Sequence, residues 1–294
     1  MTTGQSAATR LFPAWASELG LRDVQLVGCD LPIQANRERY REVVERIKTG
    51  DDELGGLVTT HKIDLFESCR DLFGAVDKYA QLCGETSCIA KRDGRLWAFA
   101  TDPISSGRAL AEFYPANAEG EVLCLGGGGS ATAITVHLMR KRRGLRITVV
   151  NRSAGRLAAL RSIHARLGSD SDVRYVENSE PELNDRLLAE LHPGALVINA
   201  TGMGKDTPGS PITDAAEFPR GAYVWELNYR GELGFLHQAE RQAQTRGLHV
   251  EDGWRYFIHG WAAVMERVFQ IDIDAPKIAR LAAVSESERP YRLP

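Results

Sequence analysis

Between Val122 and Arg156 the chain reads VLCLGGGGSATAITVHLMRKRRGLRITVVNRSAGR, and no other stretch restricts the fold so tightly. Val122–Leu125 is an apolar run of strand length. Gly126 to Gly129 follow directly, and Ser130 opens a helix-compatible run to about Lys141. Ile147–Val150 is a second apolar run and leads into a polar, basic loop. Strand, glycine turn, helix and strand in this order form a dinucleotide-binding unit. Glycines let the backbone turn tightly and approach a pyrophosphate. The free N–H groups of the helix start, with the helix dipole, favour its negative charge. A glycine-rich turn alone is weak, and the flanking strands and helix strengthen it. Gly126, Gly128, Gly129, Ser130 and Ala131 are the contacts expected from this turn.

The second strand ends in Asn151-Arg152-Ser153, with Arg156 just beyond. An NAD site usually places Asp or Glu there to accept from the ribose 2′-OH. This chain has no carboxylate at that point and two arginines close by. The planar guanidinium fork suits a phosphate, so the expected cofactor is NADP. The alternative, that Arg152 and Arg156 are ordinary solvated helix-start residues, stays open on sequence alone.

The 294 residues are enough for two domains, and 43% hydrophobic with 26% charged content is that of a globular protein. A net charge of −3 without a basic block argues against a nucleic-acid partner. No apolar run reaches membrane-spanning length. The opening MTTGQSAATRLF lacks the apolar core of a signal peptide, and a cytoplasmic location is expected. Cys29, Cys69, Cys83, Cys88 and Cys124 are scattered without a CxxC pair, and the histidines show no HxxxH spacing. Packed thiols and no metal site are expected.

Along the chain, strand-like and helix-like pieces alternate. Strands are expected over Val24–Leu31 and Gly56–Thr60, and helices over Gln34–Lys48, Ile63–Phe73 and Val76–Leu82. Cys88–Lys91 and Leu96–Ala100 flank Arg92-Asp93-Gly94-Arg95, a hairpin signal. A helix is expected from Asp102 to Phe113, then a linker over Pro115–Gly120. Beyond the glycine unit, strands are expected at Leu196–Ala200, Tyr223–Leu227 and His249–Glu251. Helices are expected at Glu232–Arg246, closed by Gly247, and at Trp254–Phe269, which is expected to return to the first domain. The alternation predicts an α/β protein with mostly parallel sheets and an active site in the cleft between two domains, at the carboxyl ends of strands.

Two polar residues stand at strand ends in the first domain: Lys62 in GGLVTTHK and Asp102 in FATDP. A Lys paired with an Asp near a nicotinamide suits ketone–alcohol chemistry. The ammonium stabilises and protonates a developing alkoxide, and the carboxylate orients the lysine and a substrate hydroxyl. Spacing alone equally allows a solvated helix-start lysine and an Asp that caps the helix before Pro103.

Read end to end, the chain resembles the shikimate dehydrogenase family. GGLVTTHK is similar to that family's NVTIPHK, GETSC at Gly84–Cys88 to GAVNT, and FATDP to YNTDG. LGGGGSATA and VVNRSAGR are similar to its glycine and NADP loops. INATGMG at Ile198–Gly204 is similar to INATSxG, ELNY at Glu226–Tyr229 to DxxY, and EDGWRYFIHG to DGxxMLxHQ. The resemblance implies an N-terminal α/β substrate domain, residues 1–105 completed by 252–294, and a Rossmann NADP-binding domain, residues 106–251. It implies Lys62 and Asp102 as the catalytic pair and Asn151, Arg152, Ser153 and Arg156 as the NADP loop. It further implies Thr201, Gly202, Met203, Leu227 and Gly253 along the cofactor, and Ser6, Thr59, Ser87 and Tyr229 toward the substrate. Thr132 stands where an Arg is common in the glycine loop.

The substrate shell departs from the family pattern more than the catalytic pair does. In SAATRLFP, Ser6 matches the first serine of a Ser-x-Ser-Pro motif but Ala8 replaces the second. Val58, Ser87 and Gly260 replace a Thr, an Asn and a Gln, Thr60 replaces a Pro, and Gly234-Phe235 replaces a TP pair. A site that discriminates through hydrogen bonds loses specificity when several are removed. The expected function is therefore reversible hydride transfer between NADP(H) and a ring alcohol or ketone, a small polar cyclic polyol related to shikimate rather than shikimate itself. Arg10, Arg230, Arg255 and Thr59 are candidate replacement contacts, with surface or packing roles as the plainer reading. The alternatives are a true shikimate or quinate dehydrogenase with altered contacts, and a non-catalytic NADP-binding sensor. A monomer or homodimer is expected.

Overall fold

A computed structural model of the protein describes residues 3–291 apart from Ile33, Gln34, Asn117, Glu119, Arg143 and Asp206. Part of the expected opening segment, of the helix from Gln34 and of the linker after Pro115 therefore lies outside the described residues. The chain divides into two compact units, Met1–Thr101 with Ile258–Arg289 and Asp102–Phe257 with Pro290–Pro294.

The first unit begins with α1 (Ala7–Glu18), which buries Leu11, Phe12, Trp15 and Ala16 at helical spacing. In α2 (Arg37–Thr49), Asn36 caps the start by accepting from Arg39 N at 3.0 Å, and Tyr40, Val44 and Ile47 form the buried stripe. After β1 (Gly55–Leu57) come α3 (Lys62–Cys69), β2 (Ala75–Val76), α4 (Lys78–Cys83), β3 (Cys88–Arg92) and β4 (Arg95–Phe99). The predicted hairpin is present: Asp93 and Gly94, both left-handed at φ 52° and 67°, turn β3 into β4. The sheet order is β1-β3-β4-β2. Both β3 pairings are antiparallel and only β2 runs parallel to β4, so the expectation of mostly parallel sheets fails here, because a tight hairpin forces antiparallel neighbours.

Val24–Leu31 is not a strand. It is irregular, with Val27 70% exposed, and no described strand pairs with it. Its apolar residues suit a strand, but a strand also needs a neighbour to receive its backbone hydrogen bonds.

The second unit opens with α5 (Asp102–Leu110). It continues through β5 (Glu121–Leu125), α6 (Gly129–Lys141), β6 (Arg146–Asn151), α7 (Ala154–Ala165), β7 (Asp172–Glu177), α8 (Pro181–Ala189), β8 (Leu196–Asn199), β9 (Tyr223–Glu226), α9 (Gly234–Arg246) and β10 (His249–Glu251). Its six described strands are all parallel in the order β10-β9-β8-β5-β6-β7, the doubly wound arrangement. Both faces are covered. Val122, Cys124, Ile147 and Ile198 pack with Ile134 and Leu138 of α6 on one side, and Leu123, Leu125, Val197 and Val224 pack with Leu187 of α8 and Phe235 of α9 on the other. This two-sided burial explains why the central strands read as continuous apolar runs.

The last helices are α10 (Trp254–Phe269) and α11 (Ala275–Ser285). From Ile258 onward they belong to the first unit, where Phe269 meets Phe12 with ring centroids 6.4 Å apart, Trp261 meets Trp15 at 6.0 Å, and Trp15 Nε1 donates to Ser285 Oγ at 2.8 Å. No described helix is long and apolar enough to cross a membrane.

Candidate functional site

The order of the large sheet reverses between β5 and β8, and the expected nucleotide residues gather at the carboxyl ends of these strands and their neighbours. Gly126 leaves β5 at φ 119°, and a Cβ there would lie 2.5 Å from the Ala200 carbonyl oxygen, so only glycine admits this turn. Gly126 N donates to Val150 O and Ala200 N donates to Leu125 O, both at 2.7 Å, which locks the glycine turn between β6 and β8. Gly128 precedes α6 without a side-chain cap, and a Cβ there would meet nothing within 4 Å. Gly129, Ser130 and Ala131 occupy the first turn of α6, whose N–H groups have no helical acceptor. Open space beside uncapped N–H groups at the start of a 13-residue helix fits a pyrophosphate.

On the β6 side, Asn151 Oδ1 accepts from Ser153 N at 2.9 Å, and Ser153 caps α7 by accepting from Arg156 N at 3.4 Å. Arg152 and Arg156 are exposed beside this cap. The segment Asn151–Arg156 that follows β6 contains no carboxylate, and Glu177 stands beside Asn151 on the neighbouring strand. The donor set suits a phosphate there.

On the β8 and β9 side, Asn199 closes β8 and Glu226 closes β9, both fully buried. Asn199 Nδ2 donates to Glu226 Oε2 at 2.7 Å. Asn199 Oδ1 accepts from Thr201 Oγ1 at 2.6 Å and Thr201 N at 3.1 Å, and Thr201 Oγ1 accepts from Met203 N at 3.1 Å. Glu226 Oε1 accepts from Asn228 N at 2.8 Å, and Asn228 Nδ2 donates to Met203 O at 3.0 Å. Burial pushes the Glu226 carboxyl up to about 8, against the opposing pull of its Asn228 and Asn199 donors and of Lys205. Leu227 N donates to Asn199 O at 3.2 Å, and Gly253 packs so closely on the Leu227 carbonyl that a Cβ would strike it. The Tyr229 ring sits 5.4 Å from Trp254 and 4.8 Å from Phe257. Thr201, Gly202, Met203 and Leu227 are thus fastened to one another through two buried residues, Asn199 and Glu226, that the sequence reading did not single out. The signal was present: a polar residue ends each of two otherwise apolar strand runs, Leu-Val-Ile-Asn and Tyr-Val-Trp-Glu.

The first unit carries Lys62, Thr59, Ser87 and Ser6, and the second carries Asp102 with Tyr229 and the nucleotide residues. Lys62 is the half-buried first residue of α3, and its carbonyl accepts from Thr86 N at 3.1 Å. Thr59 is exposed in the loop before it. Ser87 is buried; its Oγ accepts from Thr101 N at 2.8 Å and lies 3.0 Å from Thr101 Oγ1. Ser6 caps α1, accepting from Ala8 N at 3.3 Å. Asp102 is buried at the start of α5, where Ser105 Oγ donates to its carbonyl at 3.3 Å. Among the described residues no group of His, Cys, Asp and Glu is arranged to hold a metal ion. Of the replacement contacts considered from sequence, Arg10 pairs with Glu288 at 2.6 Å and Arg255 with Glu112 at 2.6 Å.

No protein-family model matches the chain. Over 246 residues it is 30% identical to the shikimate dehydrogenase (NADP(+)) of Symbiobacterium thermophilum, an alignment spanning 82% of this chain and 81% of that one. The shikimate 5-dehydrogenase of Thermus thermophilus, solved with NADP(H) and shikimate, matches with a TM-score of 0.70 at 23% identity, covering 96% of this chain and 95% of that one. The ligand-free 5-ketofructose reductase of a Gluconobacter species matches with a TM-score of 0.70 at 20% identity, covering 97% and 94%. At these identities the two structures speak to the fold alone. The sequence relationship goes further, and with it the chain belongs to the shikimate dehydrogenase family.

Proposed function

We propose that this protein is an NADP-dependent dehydrogenase that moves hydride reversibly between NADP(H) and a ring alcohol or its ketone, with a polar cyclic polyol other than shikimate as its best substrate. The cofactor, when bound, supplies or takes the hydride. The N–H groups at the start of α6 hold its pyrophosphate, and Arg152 and Arg156 hold the ribose 2′-phosphate. The Lys62 ammonium gives a proton to the oxygen that becomes the alcohol, and its amine takes that proton back in the other direction. Asp102 orients Lys62 and accepts from a substrate hydroxyl.

The observation that carries the substrate reading is the state of the hydroxyl shell. Ser6 is engaged as a helix cap, Ser87 is engaged by Thr101, and Ala8, in the place of a second serine, is fully buried. A pocket in which one hydroxyl is missing and the oxygens of two others already accept from backbone N–H groups loses bonds that would select shikimate. A reductase of 5-ketofructose shares this fold, and that ketone is therefore included in the test.

The test is the initial rate of NADP reduction with shikimate beside quinate, aminated analogues and other cyclitols, and of NADPH oxidation with 5-ketofructose. A clear rate on another polyol with none on shikimate is expected, and Lys62→Ala is expected to remove turnover while NADPH still binds. Shikimate turnover at ordinary enzyme rates would overturn the substrate reading. Tight NADPH binding without turnover across the panel would favour a sensor.

A further inference from the structure

We propose that Glu226 is a positioning residue that sets the geometry of the nicotinamide half of the cofactor site by holding the loop after β8 to the loop after β9. The proposal rests on the nucleotide-binding reading above.

In a doubly wound sheet of this order, the dinucleotide crosses the carboxyl edge at the switch point. The arginines after β6 lie on one side of the glycine turn and the Thr201–Met203 loop after β8 on the other. The latter side is the one Glu226 controls. Its two oxygens take different jobs: Oε2 accepts from Asn199 and Oε1 from Asn228 N. Asn199 has no freedom to turn over, because its own Oδ1 already accepts two donors from Thr201. Its amide nitrogen must therefore face an acceptor, and Glu226 is that acceptor. Asn228 returns to the same loop through Met203 O, so the Glu226 side chain closes a circuit of hydrogen bonds around the loop from both ends. A buried polar circuit of this kind fixes one arrangement when every member is satisfied and loses it when one is not. By contrast, the Asn151–Ser153–Arg156 cap has no residue in common with this circuit.

The donor pattern gives the test. In Glu226→Gln one side-chain atom still accepts from Asn228 N, but the new NH2 group faces the NH2 group of Asn199. Adding Asn199→Asp reverses the polarity of the pair. The carboxylate introduced at that position accepts both from Thr201 and from the amide introduced opposite it, so every bond is restored. Binding of NADPH and of adenosine 2′,5′-bisphosphate to the full chain, with thermal unfolding measured without ligand, separates the possibilities. The single variant is expected to bind NADPH about tenfold more weakly, the scale of one lost hydrogen bond that leaves a buried donor unpaired, with adenosine 2′,5′-bisphosphate binding unchanged. The double variant is expected to recover NADPH binding, and it carries the test even where the single variant does not fold. Undiminished NADPH binding by Glu226→Gln, a parallel loss of both ligands, or a folded double variant that stays weak would each overturn the proposal. Wild-type protein that binds neither ligand would overturn the nucleotide-site reading itself.

Discussion

The imidazole of His137 occupies the space that a side chain on Gly107 would need. The two residues face each other where α5 packs on α6, and His137 also bonds the backbone of Pro103, the residue after Asp102. Burial pushes the imidazole below its usual range, against the opposing pull of the Pro103 backbone bond. Gly107→Ala is expected to lower stability by about 1–3 kcal/mol through overpacking. The same substitution is expected to cost much less in a His137→Ala background. A double-mutant cycle on thermal unfolding checks this, and equal costs in both backgrounds would show that the imidazole is not the obstacle.

His164 lies inside the nucleotide unit, with Thr135 Oγ1 2.8 Å from Nε2 and Tyr175 OH 2.7 Å from Nδ1. Burial pushes its imidazole down to about 4. The unfolded chain takes up a proton on this side chain in the ordinary histidine range while the folded chain does not. Stability should therefore rise with pH from about 4 to 6.5 and be unaffected by this group above that. The full effect is ~3 kcal/mol on the linkage scale. Unfolding by denaturant across this range, wild type against His164→Gln, isolates the contribution. Parallel curves for the two proteins would refute it.

How far these features could be read in advance depended on whether the signal was local. The glycine turn with its strands, and the Asp93-Gly94 hairpin, were legible because the residues that enforce them are adjacent in sequence. The edge strand β7, Asp-Val-Arg-Tyr-Val-Glu, was missed because one flank has no described strand neighbour, and its charged residues mask the alternation. Val24–Leu31 failed in the opposite sense: a short apolar stretch reports a segment able to pair, not the presence of a neighbouring strand. Within the candidate site, Lys62 and the arginines of the NADP loop stood in motifs. Glu226 and Asn199 stood in motifs too, ELNY and INATGMG, but neither carried a role, because the role lies in the bond between them, 27 residues apart, which only folding makes.

Ser87→Ala tests whether that hydroxyl serves the fold or the substrate. Removing it leaves Thr101 N without its buried acceptor, a loss of roughly 1–3 kcal/mol. The expected result is a lower melting temperature with an unchanged KM for whichever polyol the enzyme turns over. A raised KM at unchanged stability would place the hydroxyl in the substrate site.

Arg152→Ala with Arg156→Ala tests the choice of cofactor. Loss of both guanidinium groups is expected to weaken NADP binding by roughly 10–100-fold while NAD binding changes little. Competition between the two nucleotides, measured by the concentration of each that half-saturates the protein, reads the ratio directly. An equal loss for both would assign the arginines to general electrostatic attraction.

The first unit is assembled from two pieces of sequence, residues up to Thr101 and Ile258–Arg289, and its fully buried Trp15 meets Trp261 and Ser285. During synthesis from the N-terminus, those opening residues emerge long before the helices that cover them. All six described strands of the nucleotide unit have emerged by Glu251, ahead of those helices. The sheet of the later-made unit can therefore assemble while the earlier-made unit still lacks the helices that enclose its tryptophan, and both units receive their last residues only as the chain ends.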